Sequence, residues 1–287
     1  MYPDRLQAPA NALNIHTMTL IDIHGVRIEV RRIAPPQGAQ EAAPLVFLHE
    51  GLGSVAMWRD WPDQLCAATG RAGVVVSRRG YGQSDPVPDV RGEPVEREGR
   101  RAGRLQPDYM HREAWEVLPA LLAQLQIDRP VLVGHSDGGT IALLHASRFP
   151  VAACIVLAPH VKVEDISITA IAQAREAYLG GGLRERLARF HADVDVAFWQ
   201  WNDVWLSDAF RSFDIREDCR RITAPLLAIQ GVDDPYGTMA QIDDIAASAP
   251  QTRLVKLPDC GHSPHRDQPA AVNEAILGFL AEPGKTP

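Results

Sequence analysis

Val131-Leu132-Val133-Gly134-His135-Ser136-Asp137-Gly138-Gly139-Thr140 is the stretch whose reading decides the fold. A short apolar run enters Gly-x-Ser-x-Gly, and Gly139 to Arg148 follows with apolar residues at three- and four-residue spacing. A buried strand therefore turns sharply into a helix with a serine at the corner, as a nucleophilic serine requires. Glycines at 134 and 138 leave room beside a strained turn. The helix N-terminus behind them directs amide donors and its positive dipole end at the serine.

Outward from this corner, Leu45-Val46-Phe47-Leu48, Val74-Val75-Val76, Cys154-Ile155-Val156-Leu157, Leu226-Leu227-Ala228-Ile229 and Leu254-Val255-Lys256-Leu257 are further short runs. Near-continuous apolar runs of this length read as strands buried on both faces. Met18 to Arg32 alternates in the strand period around His24-Gly25, which predicts an antiparallel hairpin at one edge. Helical spacing is found over about Ala56 to Thr69, Tyr109 to Leu125, Met239 to Ser248 and Pro269 to Leu280. Strand and helix alternate, so the fold class is α/β, with a mostly parallel central sheet flanked by helices.

The alternation stops between about His160 and Ile222. Ala170 to Leu179 and Leu183 to Phe190 are helical in spacing, and Trp199, Trp201 and Trp205 fall within seven residues. This segment is predicted to be a helical cap, giving a core of residues 1–159 and 223–287 interrupted by residues 160–222. Its aromatic cluster is either the core of the cap or, in part, the lining of an apolar pocket. Asp85 to Pro107, rich in Pro, Gly, Arg and Glu, reads as a long surface loop, and Arg97, Arg100, Arg101 and Arg104 within it as solvated charges without a function.

Composition narrows the function classes. A chain of 287 residues with 46% hydrophobic residues can bury a sizeable core, and its net charge of -7 offers no overall positive field to nucleic acid or to an anionic membrane. Neither partner is expected; a small-molecule substrate is. Cys66, Cys154, Cys219 and Cys260 form no C-x-x-C pair, which argues against a zinc or redox site. Met1-Tyr2-Pro3-Asp4-Arg5 does not begin a secretory leader, and no apolar run would cross a bilayer. The expectation is a cytoplasmic, cofactor-free and metal-free protein with reduced thiols. Gly51-Leu52-Gly53 lacks the third glycine of a dinucleotide loop.

A serine hydroxyl at neutral pH needs a base within reach and a third group to hold that base. Strand Leu226–Ile229 opens into Gln230-Gly231-Val232-Asp233-Asp234-Pro235, and the following strand ends in Leu257-Pro258-Asp259-Cys260-Gly261-His262. Both deliver candidates to the C-terminal edge of the sheet, where open α/β sheets build their sites. The chain order Ser, acid, His is the one this architecture uses. Asp233 or Asp234 supplies the acid, and His262 or His265 the base.

From about Met18 onward the chain resembles the α/β-hydrolase superfamily, in its broad group of capped esterases, lactonases and carbon–carbon hydrolases. The resemblance implies that the acid is fourth in the Gly-x-x-Asp turn and that the base follows Gly before the last helix. It thereby selects Asp234 and His262 as partners of Ser136. Arg78-Arg79-Gly80-Tyr81-Gly82-Gln83-Ser84-Asp85 is similar to the family's Gly-x-Gly-x-Ser turn, with Ser77-Arg78 in place of its usual acidic start, and a structural role is expected.

An oxyanion hole needs two amide donors aimed at developing negative charge. The amide of Asp137 is the first. The second is expected at Gly51, since Leu48-His49-Glu50-Gly51-Leu52-Gly53-Ser54 resembles the family's His-Gly-x-x-Gly loop. Glu50 stands where that loop has glycine, and Asp137 where an apolar or amide residue is common. Two carboxylates would oppose an oxyanion unless paired, turned away or protonated. They are expected to be hydrogen-bonded supports, with Glu50 a possible water- or substrate-positioning group. His135 and His49 are read as packing or supporting residues. Trp58, His160, Trp199, Trp201 and Trp205 are the remaining candidates for contact with substrate, Trp58 alternatively starting a core helix beside Met57.

The expected reaction is hydrolysis of a carboxylic ester or lactone through an acyl-enzyme. Carbon–carbon cleavage of a vinylogous diketone and a non-turnover ligand receptor are the alternatives; generic aryl-ester turnover separates the enzyme from the receptor. With serine as nucleophile, epoxide hydrolysis and dehalogenation by a carboxylate are disfavoured.

Overall fold

The computed structural model describes residues 17–97 and 100–281. The opening Met1 to Arg5 segment, read above for a leader, lies outside the described residues. Among the described residues, eight strands form one sheet in the order β1-β2-β4-β3-β7-β8-β9-β10. They are β1 (Thr17–Ile23), β2 (Val26–Ile33), β3 (Leu45–Leu48), β4 (Gly73–Ser77), β7 (Val131–His135), β8 (Ala153–Leu157), β9 (Leu226–Gly231) and β10 (Thr252–Leu257). From β4 to β10 neighbouring strands are parallel, whereas β1, β2 and β4 pair antiparallel. The expected α/β fold with a mostly parallel sheet is present. At the β1–β2 turn His24 and Gly25 both have positive φ, 54° and 77°, as a two-residue hairpin turn demands.

Strands β3, β7, β8 and β9 are buried along their whole lengths, which is why they read as runs rather than alternations. Their side chains still divide by period two. Val46, Leu48, Leu132, Val156 and Ala228 enter one core, and Leu45, Phe47, Val133, Ile155 and Ile229 enter the other. The second core is closed by α1 (Trp61–Thr69) and α11 (Pro269–Ala281) through Leu65, Val272 and Ile276. The first is closed by α2 (Tyr109–Arg112), α3 (Leu118–Leu125) and α4 (Asp137–Ala146).

Between β8 and β9 the chain inserts α5 (Asp165–Leu179), α6 (Gly182–Leu187), α7 (Val194–Trp205) and α8 (Arg216–Cys219). Asp193 caps α7 by accepting from the Val196 N–H. Phe198, Trp201, Val204 and Trp205 continue the same core that lies under α4, so the cap is seated on the sheet rather than standing apart. After β9 come α9 (Ala240–Ser248) and, after β10, the short α10 (Pro264–Asp267).

Three sequence expectations are corrected. The loop after β4 contains a hairpin, β5 (Val95–Arg97) paired with β6 (Arg100–Ala102). Its strands are too short and too exposed to leave a period-two pattern. The helix expected over Tyr109 to Leu125 is divided by a π-helical turn, Glu113–Val117, one extra residue that apolar spacing does not register. The helix expected from Ala56 begins instead as a 3₁₀ turn at Ala56–Trp58, breaks at Arg59 (φ 55°) and restarts at α1, where Pro62 suits a first turn. The four cysteines are free and buried. No helix among the described residues is long and apolar enough to cross a membrane.

Candidate active site

Ser136 occupies the junction of β7 and α4 with φ 52° and ψ −119°, a conformation that costs a non-glycine residue about 1–3 kcal/mol. The surroundings enforce it. A Cβ at Gly134 would collide with the Gly138 carbonyl oxygen, and one at Gly138 with the Leu48 carbonyl oxygen, so both elbow glycines are dictated by close backbone approach. The Ser136 N–H is spent on the Leu157 carbonyl at 2.9 Å.

His262 lies in the turn after β10 and brings Nε2 to 2.9 Å from Ser136 Oγ. Its Nδ1 is 2.9 Å from both carboxylate oxygens of Asp234, in the turn after β9. A carboxylate only accepts, so Nδ1 carries the proton and Nε2 is left to accept from the serine hydroxyl. Asp234 Oδ1 also accepts from the Tyr236 N–H at 2.8 Å. Burial pushes the Asp234 pKa up, but the bond and charge of His262 together with that N–H outweigh it and hold the carboxyl below its ordinary value. Asp233 is exposed to solvent. His265 is buried against Trp58 and Trp61, at ring separations of 5.0 and 5.1 Å, and not in the position of a base.

The loop after β3 supplies the facing wall. The Gly53 N–H turns back to the Glu50 carbonyl at 3.1 Å, whereas the Gly51 N–H has no acceptor among the described residues. Asp137 is the first residue of α4, where an N–H has no intrahelical acceptor either. Both backbone groups are therefore available as donors.

The two carboxylates expected to trouble this region are turned aside. Glu50 faces His135 Nδ1 at 3.5 Å and Arg266 at 3.6 Å, beneath the loop. Burial opposes its ionisation, yet His135 and Arg266 hold its pKa well below the usual range. Asp137 accepts from Tyr109 Oη–H at 2.6 Å and lies 3.7 Å from Arg78. There burial prevails over Arg78 and Tyr109, and the pKa is raised. Glu50 thus faces His135 and Arg266.

The other candidates separate. Trp201 lies directly over Gly51, where a Cβ would meet its indole nitrogen. Trp205 is buried, donates to Tyr109 Oη at 3.0 Å and packs 5.1 Å from His160. His160 is buried, 5.8 Å from the His262 ring, with Nδ1 lacking a hydrogen-bond partner; burial pushes its pKa down to about 3. Two calls are corrected. Trp58 stacks on Trp61 in the core on the opposite face of the sheet from the cap. Trp199 lies under Arg91, 3.8 Å away, against Tyr178 and Phe198 of the cap, because at its place on α7 it points away from the turn occupied by Trp201.

Sequence reasoning missed several supports. Arg78 donates from its side chain to the His49 carbonyl at 2.5 Å and the Glu50 carbonyl at 3.2 Å, and its N–H donates to His49 Nε2 at 3.0 Å. The expected structural role of its turn becomes specific: it pins the loop carrying Gly51. His191 of the cap accepts from the Gly82 N–H at 3.0 Å and donates from Nε2 to the Leu52 carbonyl at 3.0 Å, fastening cap to core. Tyr236 packs on His262 at 4.6 Å, and its spacing two residues after Asp234 was a usable signal.

Among the described residues no group of three or more His, Cys, Asp or Glu is placed to hold a metal ion. What the atoms can do is move a proton from a hydroxyl to an imidazole beside two free amide donors.

The model of the alpha/beta hydrolase family matches residues 45–275. An sn-1-specific diacylglycerol lipase of Mus musculus is 24% identical over 83% of this chain and 80% of its own. An esterase of Escherichia coli is 30% identical over 58% of this chain and 73% of its own. Among solved structures, the enol-lactonase from Burkholderia xenovorans superposes with a TM-score of 0.66 at 19% identity, covering 92% of this chain and all of that one, a likeness of fold.

Proposed function

The chain belongs to the alpha/beta hydrolase family, and from that premise we propose that it cleaves a carboxylic ester or lactone through an acyl-enzyme formed on Ser136. The observation that carries this reading is the continuous line from Ser136 Oγ to His262 Nε2 and from His262 Nδ1 to Asp234, with the hydrogen bonds on both sides of the ring at 2.9 Å. Ser136 Oγ attacks the acyl carbon while His262 takes its proton, and Asp234 stabilises the imidazolium without itself becoming protonated. The amides of Gly51 and Asp137 receive the negative charge on the former carbonyl oxygen. His262 then returns the proton to the leaving oxygen, and water, activated by the same base, releases the acid and regenerates Ser136. The diacylglycerol lipase and esterase relatives support an acyl-transfer substrate.

Labelling with a fluorophosphonate, followed by mass spectrometry of the modified peptide, tests the reading. A single adduct on Ser136, with loss of aryl-ester turnover in proportion, is expected. An unlabelled, folded protein, or undiminished turnover by Ser136→Ala, overturns it.

A further inference from the structure

A cavity of about 440 Å³ opens at the other end of the sheet edge, under the β5–β6 hairpin, and Ser136, His262, Asp234 and Gly51 do not line it. That volume is within the roughly 300–1,000 Å³ of small-molecule sites. Ile23, Val26, Ile28, Leu105 and Val117 give it an apolar wall. Five arginines also face it, Arg78, Arg79, Arg100, Arg101 and Arg112, against three carboxyl groups, Glu96, Glu113 and Glu116.

Pairing decides what charge is left. Arg112 engages Glu116 at 3.1 Å and Glu96 at 3.7 Å, Arg101 engages Asp108 at 3.2 Å, and Arg78 engages Asp137 at 3.7 Å. Arg79 is bonded to the carbonyls of Pro86 and Arg101, with no carboxylate within ion-pair distance among the described residues. Arg100 likewise has none, and its guanidinium lies against Gly25 at the β1–β2 turn, where a Cβ would displace it. The opposing group is Glu113, at the start of the π-helical turn that also places Glu116 and Val117 on the cavity. Burial pushes the Glu113 pKa up in spite of Arg78, Arg79 and Arg101. An irregular helical turn of this kind frequently marks a functional site.

An apolar wall beside two guanidinium groups that are in no ion pair among the described residues, Arg79 feeling Asp85 and Glu113 only at longer range, fits one kind of ligand. We propose that this cavity is a second binding site, separate from the Ser136 cleft, for an amphipathic monocarboxylate whose head is held by Arg79 and Arg100 and whose chain lies along Ile28, Leu105 and Val117. Arg78 and Tyr109 line the cavity and both touch Asp137, so they form the partition between it and the elbow. Of the arginines read from sequence as solvated charges, Arg97, Arg100 and Arg104 are exposed, and Arg100 and Arg101 also line the cavity, which only the tertiary position of Gly25 and the π turn makes visible.

Calorimetric titration of the full chain with octanoate tests the assignment. Saturable binding is expected for the wild type and equally for Ser136→Ala, with octan-1-ol at least about tenfold weaker. Arg100 is exposed, so Arg100→Gln does not disturb the core; it and Arg79→Gln should each weaken octanoate about tenfold, while Trp201→Ala over the Ser136 cleft leaves it unchanged. No saturable binding overturns the proposal. So does an affinity that responds to Trp201→Ala but not to the two arginine variants, since octanoate then sits in the Ser136 cleft.

Discussion

His135 Nε2 donates a hydrogen bond of 2.6 Å to the backbone carbonyl of His262, so the residue preceding Ser136 holds the loop that carries His262. The same ring faces Glu50 through Nδ1, and Glu50 sits in the loop that offers Gly51. One buried imidazole therefore joins the three segments of the candidate site. His135→Phe keeps the volume but strands the His262 carbonyl. It should cost about 1–3 kcal/mol of stability. It should also lower kcat with little change in KM, read by urea unfolding and steady-state kinetics; a variant of wild-type kcat would show that His262 needs no such tether.

Asp234→Asn should reduce kcat by on the order of 10⁴, because the amide can present a donor to Nδ1 and favour the wrong tautomer. Asp233→Asn, at an exposed position beside it, should leave kcat within about threefold, as surface changes usually do. The opposite order would transfer the orienting role to Asp233.

Gly51→Ala puts a methyl group where the Trp201 indole nitrogen now lies. Either the loop or the indole must move, and loss of one oxyanion donor corresponds to roughly 100-fold in kcat. Combining it with Trp201→Ala should restore a measurable part of that loss. Full activity in the single variant would remove Gly51 from the oxyanion role.

Stability should fall as the pH drops below neutral. His160 has its pKa lowered from 6.5 to about 3 by burial, so between those values the unfolded chain binds the proton and the folded chain does not. The contribution is complete above the unfolded value and is lost as the pH falls from 6.5 toward 3, amounting to about 2 kcal/mol at pH 5 for one such histidine. Asp234, also lowered, adds its loss only further into acid, below the ordinary carboxylate value of 3.8. Urea midpoints at pH 7 and pH 5 for the wild type and His160→Phe check this: the variant should lose about 2 kcal/mol less between them. Equal losses in the two proteins would contradict it.

The sequence by itself determined the sheet and the strand-to-helix elbow. Runs such as Val131–Val133 and Leu226–Ile229 are buried on both faces, and a strand so buried must be apolar throughout, so its position is written locally. Gly134 and Gly138 are likewise legible because close backbone approach admits no other residue. What only the tertiary structure decided concerns residues whose environment is assembled from distant segments. Asp234 and Asp233 are adjacent in sequence, and one meets His262 while the other meets water. Trp199 and Trp201 are two residues apart on one helix, and the turn of that helix sends one beneath Arg91 and the other over Gly51. Glu50 and Asp137 are partnered by His135, Arg266, Tyr109 and Arg78, which reach them from four other places in the chain. Local sequence carries the period of burial; charge compensation is a property of neighbours in space.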